Sequence, residues 1–141
     1  MLDTTGRCLI QVYADGSTGL PGGVPNPGDV DQFATLRREA WEENQVVVTE
    51  VGHLGYQEIC PAGAPAYALV ALVGRICRFE ARRPDPNGGE TYHRYLAPLA
   101  DVRTLLGAGM PPDAPTAAAK TADRLWRLPV HKTTTPADYA D

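Results

Sequence analysis

Residues 20–46, LPGGVPNPGDVDQFATLRREAWEENQV, decide how this chain is read. A Pro-Gly-Gly turn leads into a segment where Glu39, Glu42 and Glu43 crowd onto little more than one helical turn. Helical neighbours lie three and four positions apart, so the three carboxylates share one flank. Like charges at that spacing repel by roughly 0.2–0.5 kcal/mol per pair on an exposed helix, and by more when partly buried. A hard divalent cation removes the conflict. Mg²⁺ takes oxygen ligands and is usually held by one or two carboxylates together with substrate phosphates. A solvated acidic helix face is the plain alternative, but it leaves the Pro-Gly-Gly turn unexplained.

The stretch resembles the Nudix box, whose pattern is Gly, five residues, Glu, seven residues, then Arg-Glu-aliphatic-x-Glu-Glu-x-Gly-aliphatic. Gly22-Gly23 and Arg38-Glu39-Ala40-Trp41-Glu42-Glu43 carry the match, and Leu20-Pro21 precede it as they often do in that family. Asp29 stands where the first Glu is expected, eight rather than seven residues before Arg38. Gln45 replaces the closing Gly, while Val46 keeps the aliphatic end. The resemblance implies an α+β fold, an α/β/α sandwich with a mixed sheet between helices. It also implies a Mg²⁺- or Mn²⁺-dependent pyrophosphohydrolase acting on a nucleoside diphosphate linked to another group.

The same resemblance implies site residues. Glu39, Glu42 and Glu43 are the expected metal ligands, joined by the backbone carbonyl of Gly22, and Glu39 activates the water in some members. Arg38 is expected to orient the box carboxylates, or else to form an ordinary i, i+4 pair with Glu42. Glu90, following Gly88-Gly89, is the candidate for a further ligand from a later loop, with Asp85 behind it. Asp29 has either an N-cap or a metal role. Gln45 strains the backbone if a left-handed conformation is required there. The departures from the pattern also feed a second reading, a catalytically degenerate Nudix-like domain that binds a nucleotide or a protein partner.

Size and charge narrow the classes. A chain of 141 residues suits one domain with one core. Its 43% hydrophobic and 21% charged residues are ordinary for a globular protein. A net charge of −4 without a basic stripe argues against nucleic acid as partner. Cys8, Cys60 and Cys77 form no C-x-x-C pair, so reduced, mostly buried thiols and a cytoplasmic location are expected. The longest apolar run, 66–73, is too short to span a bilayer, and residues 1–7 lack a signal-peptide layout.

Along the chain, residues 7–13 read as a strand. The resemblance makes it the second of a hairpin whose first strand is represented only by Met1-Leu2, the rest being lost, supplied by a partner or upstream of Met1. The edge left open makes a homodimer an expectation. Residues 15–20 and 21–29 read as loops, then 30–44 as a helix with Asp29 or Asp31 as N-cap and Phe33, Leu36 and Ala40 as core stripe. Strands are expected at 46–51 and 54–60 around Gly52-His53, and a hairpin from 67–79 to 90–97 across RRPDPNGG. Helices follow at 100–106 and 116–127, the second with Ala118, Ala122, Leu125 and Trp126 apolar. Residues 1–128 form the expected domain and 129–141 a polar, mobile tail. His53 and His93 lack partners at metal spacing. Tyr13, Tyr56, Tyr67, Tyr92 and Tyr95 read as core or sheet surface.

Overall fold

Alternation along the first strand sets out the layers. In the computed structural model, described over residues 1–107 and 110–138, β1 is Arg7–Val12. Cys8 and Ile10 point to one face and Leu9 and Gln11 to the other, as the two-residue strand period requires. The remaining elements are β2 (Thr18–Gly19), α1 (Gln32–Asn44), β3 (Val46–Ile59), β4 (Tyr67–Phe79), β5 (His93–Pro98), α2 (Val102–Leu106), α3 (Ala114–Trp126) and β6 (Ala137–Asp138). The chain is an α+β protein with three helices and antiparallel ladders in the orders β2-β1-β5-β6 and β3-β4.

Leu2 joins the two ladders. Its N–H donates to Gly74 O at 2.8 Å, and its carbonyl accepts from Ile76 N–H at 2.8 Å. On its other side Met1 O accepts from Leu9 N–H at 2.9 Å. Leu2 is thus antiparallel to Cys8 and parallel to Arg75, so the sheet is mixed through one residue. Residues 1–3 and β2 fill the β1 edge that the sequence left open.

Each face carries its own core. One cluster gathers Cys8, Ile10, Val73, Ala97 and Leu99 under Val102 of α2 and Ala118, Ala119 and Ala122 of α3. The other sets Leu9, Val48, Ile76 and Leu96 under Ala40 of α1. Phe33 and Leu36 of the expected stripe are only half-buried. Glycine lets both helices approach closely. A Cβ at Gly52 would lie 2.8 Å from Thr121 Cγ2 of α3, and one at Gly74 would lie 3.2 Å from Leu36 Cδ2 of α1.

Four expectations change. Gly52 makes room for α3 rather than turning the chain, so 46–59 is one bulged strand instead of two. The hairpin from 67–79 to 90–97 does not form. β4 spends its length on β3, while β5 pairs with β1, with Gln11 opposite Arg94. RRPDPNGG closes only a local turn, Gly89 N–H to Asp85 O at 2.7 Å. The segment after 128 is docked through Ala137. Leu128 and Val130 enter the core, and Ala137 lies opposite Leu96. Residues 139–141 of that expected tail lie outside the described part. Finally, Cys8 is buried but Cys60 and Cys77 are exposed. Among the described residues no helix is long and apolar enough to cross a membrane.

Leu2 is 1% exposed. Truncating such a side chain loses transfer energy and leaves a cavity, so Leu2→Ala is expected to lower unfolding free energy by about 3 kcal/mol. Urea denaturation measures this. A loss under ~1 kcal/mol would mean that the backbone bonds alone hold the two ladders together.

Candidate functional site

The helix that carries the acids is fixed at both ends. Asp31, with extended backbone, accepts from Ala34 N–H at 2.7 Å and is the N-cap. Asp29 is free of that role. At the other end Gln45 adopts the left-handed conformation, φ 48° and ψ 45°, where the sequence pattern asks for glycine. Its side chain offsets the strain: Nε2 donates to Glu42 O at 2.8 Å, and Oε1 accepts from Arg83 N–H at 2.9 Å. Arg83 also lies 5.1 Å over the Trp41 ring, and buried Arg94 donates to Asn44 O and Glu80 O. These ties hold the 80–92 loop against the end of α1.

Arg38 is the hub of the acidic face. Its guanidinium donates to Asp29 through Nε and Nη2 and to the Val24 carbonyl. Nη1 reaches Glu39 at 2.8 Å and Glu42 at 2.9 Å. The i, i+4 pair with Glu42 is present, and Arg38 reaches Glu39 and Asp29 besides. The Arg38 hydrogen bonds hold the Asp29 carboxyl down at about 2, helped by Asn26 N–H, with Thr35 Oγ1 donating as well. Glu42 also accepts from Asn87 Nδ2 at 3.2 Å.

Glu43 stands apart from that hub. Its Oε2 accepts from Gly22 N–H at 3.0 Å. Burial pushes its carboxyl up to about 7 against the Gly22 bond, and the charges of Glu39 and Asp85 add to the rise. Gly23 packs on the neighbouring acid, since a Cβ there would lie 2.5 Å from the Glu39 carboxyl carbon. The two glycines therefore lay bare backbone against Glu39 and Glu43, one turn apart on α1.

Among the described residues no three His, Cys, Asp or Glu side chains form a ready metal cage. Arg38 draws Glu39, Glu42 and Asp29 towards itself, and Glu43 is turned to the loop. The donor set nevertheless fits a hard cation. Glu39 and Glu43 bring carboxylate oxygens to the glycine turn, one against Gly23 where a side chain would intrude and one on the Gly22 N–H. The later loop contributes Asp85, which is buried and bears on Glu43. Glu90, the sequence candidate, lies by Tyr13 and Tyr92, whose phenols also feel Glu43.

Sequence reasoning missed the row beneath this cluster. Gln11 is fully buried, and both of its amide atoms lack a hydrogen-bond partner. It lies close enough to Glu43 to favour the ionised carboxylate slightly, though not at hydrogen-bond geometry. One step along the same strand face, Tyr13 meets Tyr92 edge-to-face, with centroids 5.4 Å apart and planes at 85°. Burial, then the charges of Glu43 and Glu90, raise the pKa of both phenols. A glutamine at the apolar phase of Leu9-x-Gln11-x-Tyr13 was the signal for this row.

These features define an α+β protein with a carboxylate cluster clamped between a glycine turn and a helix. Comparison of the chain with protein-family models found no match, and comparison with curated proteins found none either.

The raised Glu43 pKa has a definite sign. Between about 4.5 and 7 the folded state binds the proton more tightly than the unfolded chain, so stability falls as pH rises through that window. In chelator, Glu43→Gln is expected to raise the melting temperature at pH 8, with the difference closing towards pH 4.5. A difference independent of pH would contradict the burial of this carboxylate.

Proposed function

We propose that the chain is a Nudix-type hydrolase with the α/β/α sandwich of that family. It cleaves the phosphoanhydride of a nucleoside diphosphate linked to another group. The observation that carries this reading is the contact of Gly22-Gly23 with Glu43 and Glu39, the two acids that the Nudix box pairs with its glycine. Water attacks one phosphorus, the bridging P–O bond breaks, and two phosphomonoesters leave. Bound Mg²⁺ or Mn²⁺ supplies charge neutralisation of the pyrophosphate and lowers the pKa of water. Glu39 and Glu43, the Gly22 carbonyl and a reoriented Glu42 are the groups to hold it.

The protein's own part is positioning. Arg38 fixes Glu39 and Glu42 from one side, and the Gly22 N–H aims Glu43 from the other. Asp29 anchors Arg38, a use for the shorter acid that needs no metal contact. Asn87 restrains Glu42 from the later loop. A second reading, a degenerate domain that binds nucleotide or a protein partner without cleavage, is favoured by one observation: Arg38 already engages Glu39, Glu42 and Asp29 in ion pairs.

A substrate panel separates the two. Incubation with ADP-ribose, NADH, dinucleoside polyphosphates and nucleoside triphosphates, with and without Mg²⁺ or Mn²⁺, is expected to give metal-dependent cleavage. Glu43→Gln should lower kcat at least a hundredfold. Gly23→Ala, which pushes the Glu39 carboxylate aside, should lower it at least tenfold. Gly28→Ala, whose Cβ meets nothing within 4 Å, should stay within twofold. Nucleotide binding with no cleavage under any metal selects the degenerate domain.

A further inference from the structure

The long hairpin of β3 and β4 outruns the rest of the sheet. β3 is the only described strand that pairs with β4, and Leu2 covers the other edge of β4 only around Arg75. Gly74 turns its carbonyl and Ile76 its N–H to Leu2. At the two-residue strand period Leu72, Val70 and Ala68 turn their backbone groups the same way. Among the described residues none of these three has a backbone partner on that side.

The two edges of the hairpin differ. β3 carries the usual protection of an open edge: bulges between Val48 and Glu50 and between His53 and Gly55, and the charges of Glu50 and Glu58. Residues 67–73 of β4, YALVALV, contain no charge, proline or glycine, and the extra residue of the nearby bulge lies on β3. Side chains leave this stretch open as well, with Tyr67 56%, Leu69 50% and Val70 40% exposed. A regular, apolar, unpaired edge is a template for another strand.

The sequence of the edge selects that strand. Antiparallel pairing about Val70 sets large against small, Leu69 against Ala71 and Ala68 against Leu72. A two-fold axis then satisfies both copies with the same contacts. We infer that a second copy of this chain pairs with β4 along residues 68–72, antiparallel and two-fold about Val70, so that the two hairpins form one continuous ribbon. Ala68, Val70 and Leu72 exchange N–H···O bonds with Leu72, Val70 and Ala68 of the second copy. The dimer contact thus falls on β4 and not on the β1 edge, which residues 1–3 and β2 already fill. So short a ladder buries less than the roughly 1,200 Å² of a standard interface, and a dissociation constant on the order of 10 µM is expected. The pairing is independent of the hydrolase reading.

Sedimentation velocity on the full chain from about 1 to 300 µM is expected to show a monomer–dimer equilibrium with that constant. Proline at an outward-facing edge position removes one donor and spares the pairing on the strand's inner side. Val70→Pro should weaken the dimer at least tenfold, and Val70→Lys, which keeps the N–H but adds charge, should do the same. Glu58→Pro makes the matching change on the β3 edge and should stay within twofold. Circular dichroism checks the fold of each variant. At the highest concentration, hydrogen exchange should slow at least tenfold at Ala68, Val70 and Leu72 and stay unchanged at Tyr56 and Glu58.

A monomer at every concentration overturns the pairing and leaves the edge to a different strand. A dimer that both Val70 variants leave intact, or that Glu58→Pro dissolves, overturns it too. Protection confined to β3 puts the contact on the wrong edge, and growth past the dimer contradicts two-fold closure.

Discussion

Crowded negative charge is the constraint that this structure is built around. Two carboxylates about 4 Å apart at an effective dielectric near 20 repel by about 4 kcal/mol. Asp29, Glu39 and Glu42 each pair with Arg38, and Glu39 and Asp85 each bear on Glu43. Arg38 relieves three of them at once, and its planar fork can do so because its donors point in several directions. A lysine there would offer a point charge and lose the paired contact with Asp29. Helix, glycine turn and later loop are thus held in register by one guanidinium and the backbone bonds that back it up.

Sequence alone disclosed the parts of this arrangement that are local. The helix carrying Glu39, Glu42 and Glu43, the glycine turn before it, and a cap at either Asp29 or Asp31 follow from spacing over a few residues, and the structure selects Asp31. Strand partners did not, because pairing is decided between distant segments. The chemistry of RRPDPNGG marks a turn correctly but does not say what the turn connects. Gly52 was misread for a related reason. A glycine needed for close helix approach is written with the same letter as one needed for a turn. Val130 was hidden in the segment read as a polar tail, yet it enters the core beside Leu128.

The site shows the same division. The acids on α1 were legible, but Gln11, Tyr13 and Tyr92 were not. Their meaning depends on the β1–β5 register, which sets Gln11 opposite Arg94. With that register known, one sheet face reads as a graded series. Leu9 and Leu96 are apolar core, Gln11 and Arg94 form a buried polar row, and the tyrosines stand at the rim. Asp85 is a loop acid that bears on Glu43, while Glu90 and Glu43 both act on Tyr13 and Tyr92. Its position follows from the Asp85–Gly89 turn, whose geometry sequence spacing does not fix.

The balance of charge also bears on how a cation would enter. Glu39 and Glu42 share the single Nη1 of Arg38, whereas Asp29 and the Val24 carbonyl occupy Nε and Nη2. Withdrawing Glu39 from Arg38 therefore leaves that group with Glu42 and its anchors. The exchange disturbs one contact of a many-contact hub and does not strand a buried charge, which would cost several kcal/mol. Among the described residues Glu43 has no salt bridge to give up; the Gly22 N–H holds it, with Gln11 nearby. The two acids nearest the glycine turn are accordingly the ones most cheaply released, while Asp29 is the one most firmly held. A site arranged this way keeps its scaffold paired and its working carboxylates exchangeable.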